Sequence, residues 1–190
     1  GPSFADEVFA GLPAALVTAS HTPATAIQIQ ESFDGSNLRL YSNDDPIGVA
    51  LAGAMKNVIA IAAGCAVGAG FGDNAKAAIL TRGLAEIARF ATLMGAKTDT
   101  IFGLAGVGDL ALTCAGPHSR NMAYGMALGR GVEPPSKLAE GSRTVAQLAG
   151  LAKSKGVDLP ITNAVDGLVN HGQDLHEIVA SLLARRVGAE

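Results

Sequence analysis

Lys56 and Asn57 interrupt a run that is otherwise apolar, VALAGAMKNVIAIAAG. A lysine in such a helix must reach out to water, pair with a carboxylate, or shift its pKa. In the last case it becomes a general acid or base. A second polar group lies in GLAGVGDLALTCAGPHSRN, residues 103–121. Asp109 and Thr113 fall one helical turn apart, on one face. Ser119 suits the N-cap of a following helix, with Arg120 and Asn121 in its first turn. Free backbone N–H groups there, with an arginine fork, favour a bound anion. A cap and a surface charge account for the same triplet more simply, and spacing alone leaves both readings open. For Lys56 the plain alternative is a side chain that snorkels to water.

Two glycine groups invite a dinucleotide reading and fail it. The fingerprint G-x-G-x-x-G must follow a strand and open a helix. Gly68, Gly70 and Gly72 follow a helical pattern with the wrong spacing, so a turn where backbones approach closely is the expectation. Gly103, Gly106 and Gly108 have the reversed spacing and follow a helix. Glu140 follows Pro134-Pro135 and reads as a loop carboxylate. The histidines are scattered. His171 and His176 do not share a helical face, so no metal site is expected. His118 adjoins the Ser-Arg-Asn triplet, and a loop position explains it. Cys65 and Cys114 form no CxxC pattern and read as buried thiols of a reducing compartment.

The elements that must position these groups change character along the chain. Residues 1–43 read as mixed α/β. Helical patterns cover residues 4–11 and 22–33, with Thr22 as N-cap and Pro23 at the first helical position. Strand patterns cover residues 13–20 and 37–43. Two strands and two helices make no stable sheet domain alone. From residue 44 onward no strand is convincing. Helices are predicted from about Pro46 to the glycines at 68–72, and over 74–95, 98–102, 108–113, 119–128 and 144–155. Two more are predicted, one from Pro160 and one over 174–186. Residues 129–142 read as loop. The chain has 190 residues, with 48% apolar but only 4% aromatic side chains, so its core is built from Ala, Leu, Ile and Val. A formal charge of -3 gives no global attraction to nucleic acid or anionic membranes. The uncharged apolar run at residues 57–72 is Gly-rich and short for a membrane span, so a buried core helix is expected. No signal peptide is visible.

GPSFADEV, KNVIAIAAG, GFGDNAKAAILTRGLAEI, GLAGVGDLALTC, SRN and EGSRT occur in that order. The chain thereby closely resembles the bacterial-type NAD(P)-dependent glycerol-3-phosphate dehydrogenases over essentially its whole length. The resemblance implies a mainly α fold. An all-helical C-terminal domain similar to that of 6-phosphogluconate dehydrogenase, residues 44–190, would follow a short α/β remnant of a Rossmann-like domain, residues 1–43. It implies interconversion of dihydroxyacetone phosphate and glycerol 3-phosphate in the cytoplasm, for phospholipid precursors, with NAD or NADP and no metal. By motif matching, Lys56 takes the catalytic lysine's place, with Asp109 orienting it. Gly1, Ser3, Asp109, Ser119, Arg120 and Asn121 match substrate positions, and Asn57 and Thr113 line the site. Ala5, Arg120, Leu138 and Glu140 match dinucleotide contacts.

The resemblance puts the dinucleotide fingerprint and a second substrate lysine upstream of Gly1. The 190 residues by themselves are therefore expected to be catalytically inactive. Residues that separate NADH from NADPH would also lie upstream. The competing reading is a non-catalytic helical module that binds a phosphorylated ligand or mediates dimerisation. A homodimer is compatible with either.

Overall fold

The structure is a computed structural model, and it describes residues 1–135 and 139–183. It opens with α1 (Ala5–Phe9), β1 (Ala14–Ala19), α2 (Pro23–Glu31) and β2 (Leu38–Asn43). The two strands pair in parallel, from Ala14 opposite Leu38 to Ala19 opposite Asn43. A parallel pair cannot be closed by a hairpin, and α2 makes the crossover. Pro23 starts α2 as predicted, but the Thr22 side chain makes no capping bond.

Everything after β2 is helical among the described residues. Asp45 caps α3 (Pro46–Gly68) by accepting from Gly48 N–H at 2.8 Å. Its other oxygen accepts from Lys97 N–H, also at 2.8 Å, which ties the α4–α5 link to the start of α3. Then come α4 (Gly72–Leu93), α5 (Thr98–Phe102), a π-helical turn (Leu104–Gly108) and α6 (Asp109–Thr113). The chain continues through α7 (Arg120–Gly129), α8 (Glu140–Ser154), α9 (Pro160–Asn170) and α10 (Leu175–Leu183).

The body is built around α3. Met55, Val58, Ile59, Ala60, Ile61 and Ala63 are fully buried in it. At 23 residues and mean hydropathy 1.7, α3 is long and apolar enough to cross a membrane. The sequence reading expected one long apolar helix from about Pro46, and α3 matches it, with Lys56 inside the helix. Yet 61% of its most apolar window is covered by the rest of the fold, so its partners are other helices.

The tightest partner is α7. A Cβ at Gly64 or Gly68 would run into the Met122 or Met126 carbonyl of α7. A Cβ at Gly125 or Gly129 would run into the Ile61 or Cys65 carbonyl of α3. Two glycine pairs at helical spacing thus let the backbones touch, and so the sequence can do with few aromatics. The glycines after α3 also behave as a turn: Gly70 and Gly72 have φ +83° and +79°.

Two element boundaries differ from the sequence reading. α8 starts at Glu140, not at residue 144, so Glu140 is a helix residue and not a loop carboxylate. The local sequence supplies no cap there. The cap comes from Asn121, whose Oδ1 accepts from Gly141 N–H at 2.9 Å. Tertiary contact thus overrides the weak local signal. The glycines at 103–108 form a π-helical turn rather than the start of an α-helix. Cys65 and Cys114 are buried and free, and burial pushes both thiols up to about 12, which makes them unreactive.

Candidate active site

Four helix segments and the N-terminal strand-side residues converge on one polar cluster. Lys56 comes from the middle of α3. Its Nζ donates to Asp109 Oδ1 at 2.6 Å, with the lysine side chain 19% and the aspartate 8% exposed. The Asp109 carboxylate also accepts from the Gly1 nitrogen, at 3.1 Å on Oδ2. The lysine therefore neither snorkels free nor stands alone. A part-buried carboxylate clamps it while its ammonium keeps two further N–H groups.

The π-helical turn aims Asp109. A Cβ at Gly106 would enter the Ile101 carbonyl, so the turn needs glycine there. Such turns insert one residue per turn and recur at functional sites. Thr113, one turn on, points its hydroxyl at the Asp109 carbonyl at 2.6 Å. It stiffens α6 from within.

At the N-terminus of α7, Ser119 is the cap: its Oγ accepts from Met122 N–H at 3.3 Å. Arg120 projects outward, and its Nη2 donates to Glu140 Oε1 at 3.0 Å. Both side chains remain more than half exposed, at 55% and 57%. Asn121 turns inward. Its Nδ2 donates to Asn57 Oδ1 at 3.0 Å, and its Oδ1 holds Gly141 N–H. Asn57 Nδ2 in turn reaches Glu140 Oε2 at 3.4 Å and the Gly53 carbonyl at 3.3 Å.

Of the residues singled out in the sequence, Lys56, Asn57, Asp109, Ser119, Arg120, Asn121, Glu140 and Gly1 are brought together by these contacts. Thr113 joins through Asp109. Ser3 bonds only to the Gly1 carbonyl, at 3.1 Å, and Ala5 is exposed at the start of α1. Leu138 lies outside the described residues. Asn57, Thr113 and Asn121 each hold protein partners.

The sequence reading missed three groups. Asp6 meets His118 Nε2 at 2.8 Å, and Phe4 stacks on the His118 ring at 4.0 Å, which pins the start of α1 beside Ser119. Asp45 joins α3 to the α4–α5 link. Burial works against its ionised form, but N–H bonds from Gly48 and Lys97, the Thr100 hydroxyl and the Lys97 charge outweigh that and hold its pKa below the usual value. Glu86 is 3% exposed on α4. It accepts from Ile161 N–H at 2.6 Å, Thr162 N–H at 3.2 Å and the Thr162 hydroxyl at 3.1 Å, so it caps α9 from outside. Burial raises its pKa despite those bonds. For Glu86 the available signal was a carboxylate among apolar helix residues, and for Asp45 an aspartate directly before Pro46, but partners of each lie far along the chain.

Comparison with known proteins bears on this cluster. Residues 45–180 match the family model for the NAD-dependent glycerol-3-phosphate dehydrogenase C-terminus. The chain is 48% identical over 191 aligned positions to the glycerol-3-phosphate dehydrogenase [NAD(P)+] of Thioalkalivibrio sulfidiphilus, covering 97% of this chain and 57% of that protein. It is 46% identical to the Chelativorans enzyme of the same name, covering 100% of this chain and 58% of that protein. The chain therefore spans less than two thirds of the length of these relatives. Among solved structures, the glycerol-3-phosphate dehydrogenase of Coxiella burnetii superimposes with a TM-score of 0.92 at 40% identity, over 97% of this chain and 59% of that one. The enzyme from Saccharomyces cerevisiae gives 0.85 at 25% identity, over 97% and 58%. A mainly helical body with a two-strand parallel sheet, a lysine–aspartate pair at its polar cluster and these matches agree: the chain belongs to the NAD-dependent glycerol-3-phosphate dehydrogenase family, with residues 45–180 matching its C-terminal part.

Proposed function

We propose that this chain supplies the substrate half of an enzyme that reduces dihydroxyacetone phosphate to sn-glycerol 3-phosphate with NADH or NADPH, feeding phospholipid precursors. The observation that carries the reading is the 2.6 Å pair of Lys56 and Asp109 at the meeting point of α3 and α6. Reduction of the carbonyl builds negative charge on its oxygen. The Lys56 ammonium points a proton donor at that charge and gives the proton up; in the reverse direction the amine takes it. Asp109 holds the ammonium in place before transfer, at 2.6 Å. Arg120, beside the Ser119 cap, offers a two-pronged donor for the substrate phosphate. Gly1 and Ser3 lie on the Asp109 side of the same cluster.

Glu140, Arg120, Ala5 and Leu138 are the proposed cofactor contacts. The side chains of Arg120 and Glu140 support this reading. An exposed guanidinium and an exposed carboxylate, side by side, suit a group that carries both phosphates and hydroxyls. A bound nicotinamide supplies the hydride.

Residues 1–43 are proposed as the last part of a nucleotide-binding domain, and residues 44–190 as the substrate domain. The lone parallel strand pair supports this, since parallel sheets are covered on both faces. So do Phe9, Ile27 and Tyr41, exposed at 90%, 46% and 46%, levels that a finished domain of this kind would cover. A cytoplasmic location accords with two free thiols. Homodimer formation is the remaining element of the reading, and sedimentation velocity tests it.

The experiment joins this chain to the preceding part of the Thioalkalivibrio relative. Dihydroxyacetone phosphate-dependent oxidation of NADH or NADPH by the fusion, and none by the 190 residues alone, is the expected result. A folded fusion without activity would favour a non-catalytic, phosphate-binding module instead.

A further inference from the structure

The candidate site draws on two stretches that are far apart in the chain. Gly1 and Ser3 come from the segment ahead of α1, and Ser119 and Arg120 open α7. No helix or strand runs through both, so their separation depends on contacts between side chains. The residue that follows Ser3 is Phe4, and the residue that precedes Ser119 is His118. Those two meet. Their ring centroids lie 4.0 Å apart, with the planes tilted by 33°. A ring pair of this kind is attractive and favours one mutual orientation.

Asp6 completes the contact from the first turn of α1. Its carboxylate faces His118 Nε2 with both oxygens, Oδ1 at 2.9 Å and Oδ2 at 2.8 Å. A carboxylate only accepts, so Nε2 carries a hydrogen whether the imidazole is neutral or charged. His118 is thus held on its face by Phe4 and at its edge by Asp6, and the three side chains form a clasp across the seam. The loop under His118 is closed as well: Ser119 N–H donates to the Gly116 carbonyl at 3.2 Å, around Pro117 and His118. At the other end of the segment the Gly1 nitrogen meets Asp109 at 3.1 Å. A Cβ at Gly1 would run into the Ala15 carbonyl, so Gly1 is wedged against β1. The segment is therefore fastened twice, at Asp109 beside Lys56 and at His118 beside Ser119.

We infer that His118, gripped by Phe4 and Asp6, is a positioning residue: it sets the distance between the Gly1–Ser3 and Ser119–Arg120 halves of the substrate site, so that a phosphate meets both at once. This rests on the function proposed above. The side chains of His118 and Asp6 are 46% and 68% exposed, so the pair adds little to stability. Its place beside the site is what gives it a use. A site assembled in advance spends less binding energy on ordering its own parts. Proton transfer is left alone, because Lys56 is held by Asp109 and not by the clasp.

The experiment is a double-mutant cycle in the fusion, read by steady-state kinetics with cofactor saturating. His118→Ala removes the ring pair and the ion pair together. It is expected to raise KM for dihydroxyacetone phosphate about three- to tenfold while kcat stays within about twofold. Asp6→Ala separates the clasp from bare charge. Removing a negative group on the phosphate side lowers KM by charge alone. Losing the clasp raises KM instead, by about two- to fivefold. The double variant is expected to be no worse than His118→Ala, because the two side chains act through one contact.

Three results would overturn the clasp: a KM unchanged by His118→Ala, a KM lowered by Asp6→Ala, or two effects that multiply in the double variant. A rise in His118→Ala joined to a fall in Asp6→Ala would mean that the imidazole meets the phosphate by charge and positions nothing. Should His118→Ala fail to fold, Phe4→Leu removes the ring pair instead and is expected to raise KM in the same direction; an unchanged KM there counts against the clasp equally. A fusion that binds glycerol 3-phosphate in calorimetry without turning over would sink the proposed reaction, and the same variants then decide the clasp by affinity. A fusion that neither binds nor reacts would overturn both.

Discussion

The first 43 residues and the helical body solve the burial problem in opposite ways. Among residues 1–44, Ala26 is buried, and Phe9, Leu12, Ile27, Ile29, Phe33 and Tyr41 are exposed. In α3 alone twelve residues are buried, in contact with α4, α7, α8 and α9. The body finishes its own core by letting backbones touch at glycines. The N-terminal segment has apolar side chains in the right pattern for two strands and two helices, but few partners for them within these residues. The lesson is that the same Ala-, Leu- and Ile-rich composition can make a closed unit or an open one. What differs is whether the sequence also supplies surfaces that fit one another. The polar cluster lies along the seam, with Gly1 on one side and Lys56, Asp109, Arg120 and Glu140 on the other.

The sharpest way to break the contrast is to fill the body's helix contact. Gly125→Ala places a methyl group against the Ile61 carbonyl, where only backbone can yield. It should cost about 3 kcal/mol or more and lower Tm by roughly 6–12 °C in differential scanning calorimetry. Gly150→Ala, on an open face of α8, is the control and should stabilise by about 0.5–1 kcal/mol. If both substitutions behaved alike, the close approach of α3 and α7 would not be what holds the body together.

Glu86→Gln comes next. One carboxylate oxygen serves Ile161 N–H and the other serves Thr162, so an amide leaves one donor facing another. A loss of about 1–3 kcal/mol in urea unfolding is expected. Because burial raises the pKa of Glu86, its ionisation opposes folding. That penalty is absent below the ordinary glutamate range and grows as pH rises through the folded value.

Asp45, at the junction of the two regions, has the opposite sign. Its folded pKa is depressed, so its contribution is present above the ordinary aspartate value of 3.8 and is lost as pH falls through the folded value. Asp45→Asn should therefore lower stability at neutral pH and flatten the acid limb of the Tm-versus-pH curve. An unchanged acid limb would place the titrating group elsewhere. Phe9→Ser should matter least: at 90% exposure it should shift the stability of this chain by no more than about 0.5 kcal/mol. A larger loss would mean that the N-terminal segment buries Phe9 after all.

The sequence made the helices legible wherever apolar spacing, a proline start or a glycine stop was local. α3, α5 and α7 fall close to their predicted bounds for that reason. It failed where the deciding partner was distant. Residues 140–143 look like loop until Asn121 caps them from twenty positions away. Gly103, Gly106 and Gly108 fail the dinucleotide spacing, but nothing local says that they form a π-helical turn that aims Asp109. The site residues were gathered by motif order more than by chemistry. A lysine in an apolar helix announced itself, but nothing local says that its carboxylate partner is Asp109. Nor does local pattern show that Asn57, Asn121 and Glu140 share one set of hydrogen bonds, because each contributes only one polar group to its own stretch.

The central claim is that Lys56, clamped by Asp109, moves the proton. Its most direct measurement is the turnover of Lys56→Ala in the fusion with the Thioalkalivibrio segment, alongside a titration of nicotinamide cofactor. The account predicts that kcat falls by about 10²–10⁴-fold, as for loss of a positioned acid, while cofactor affinity stays within about twofold. A folded Lys56→Ala protein that keeps kcat within about threefold would show that the lysine is only a structural partner of Asp109.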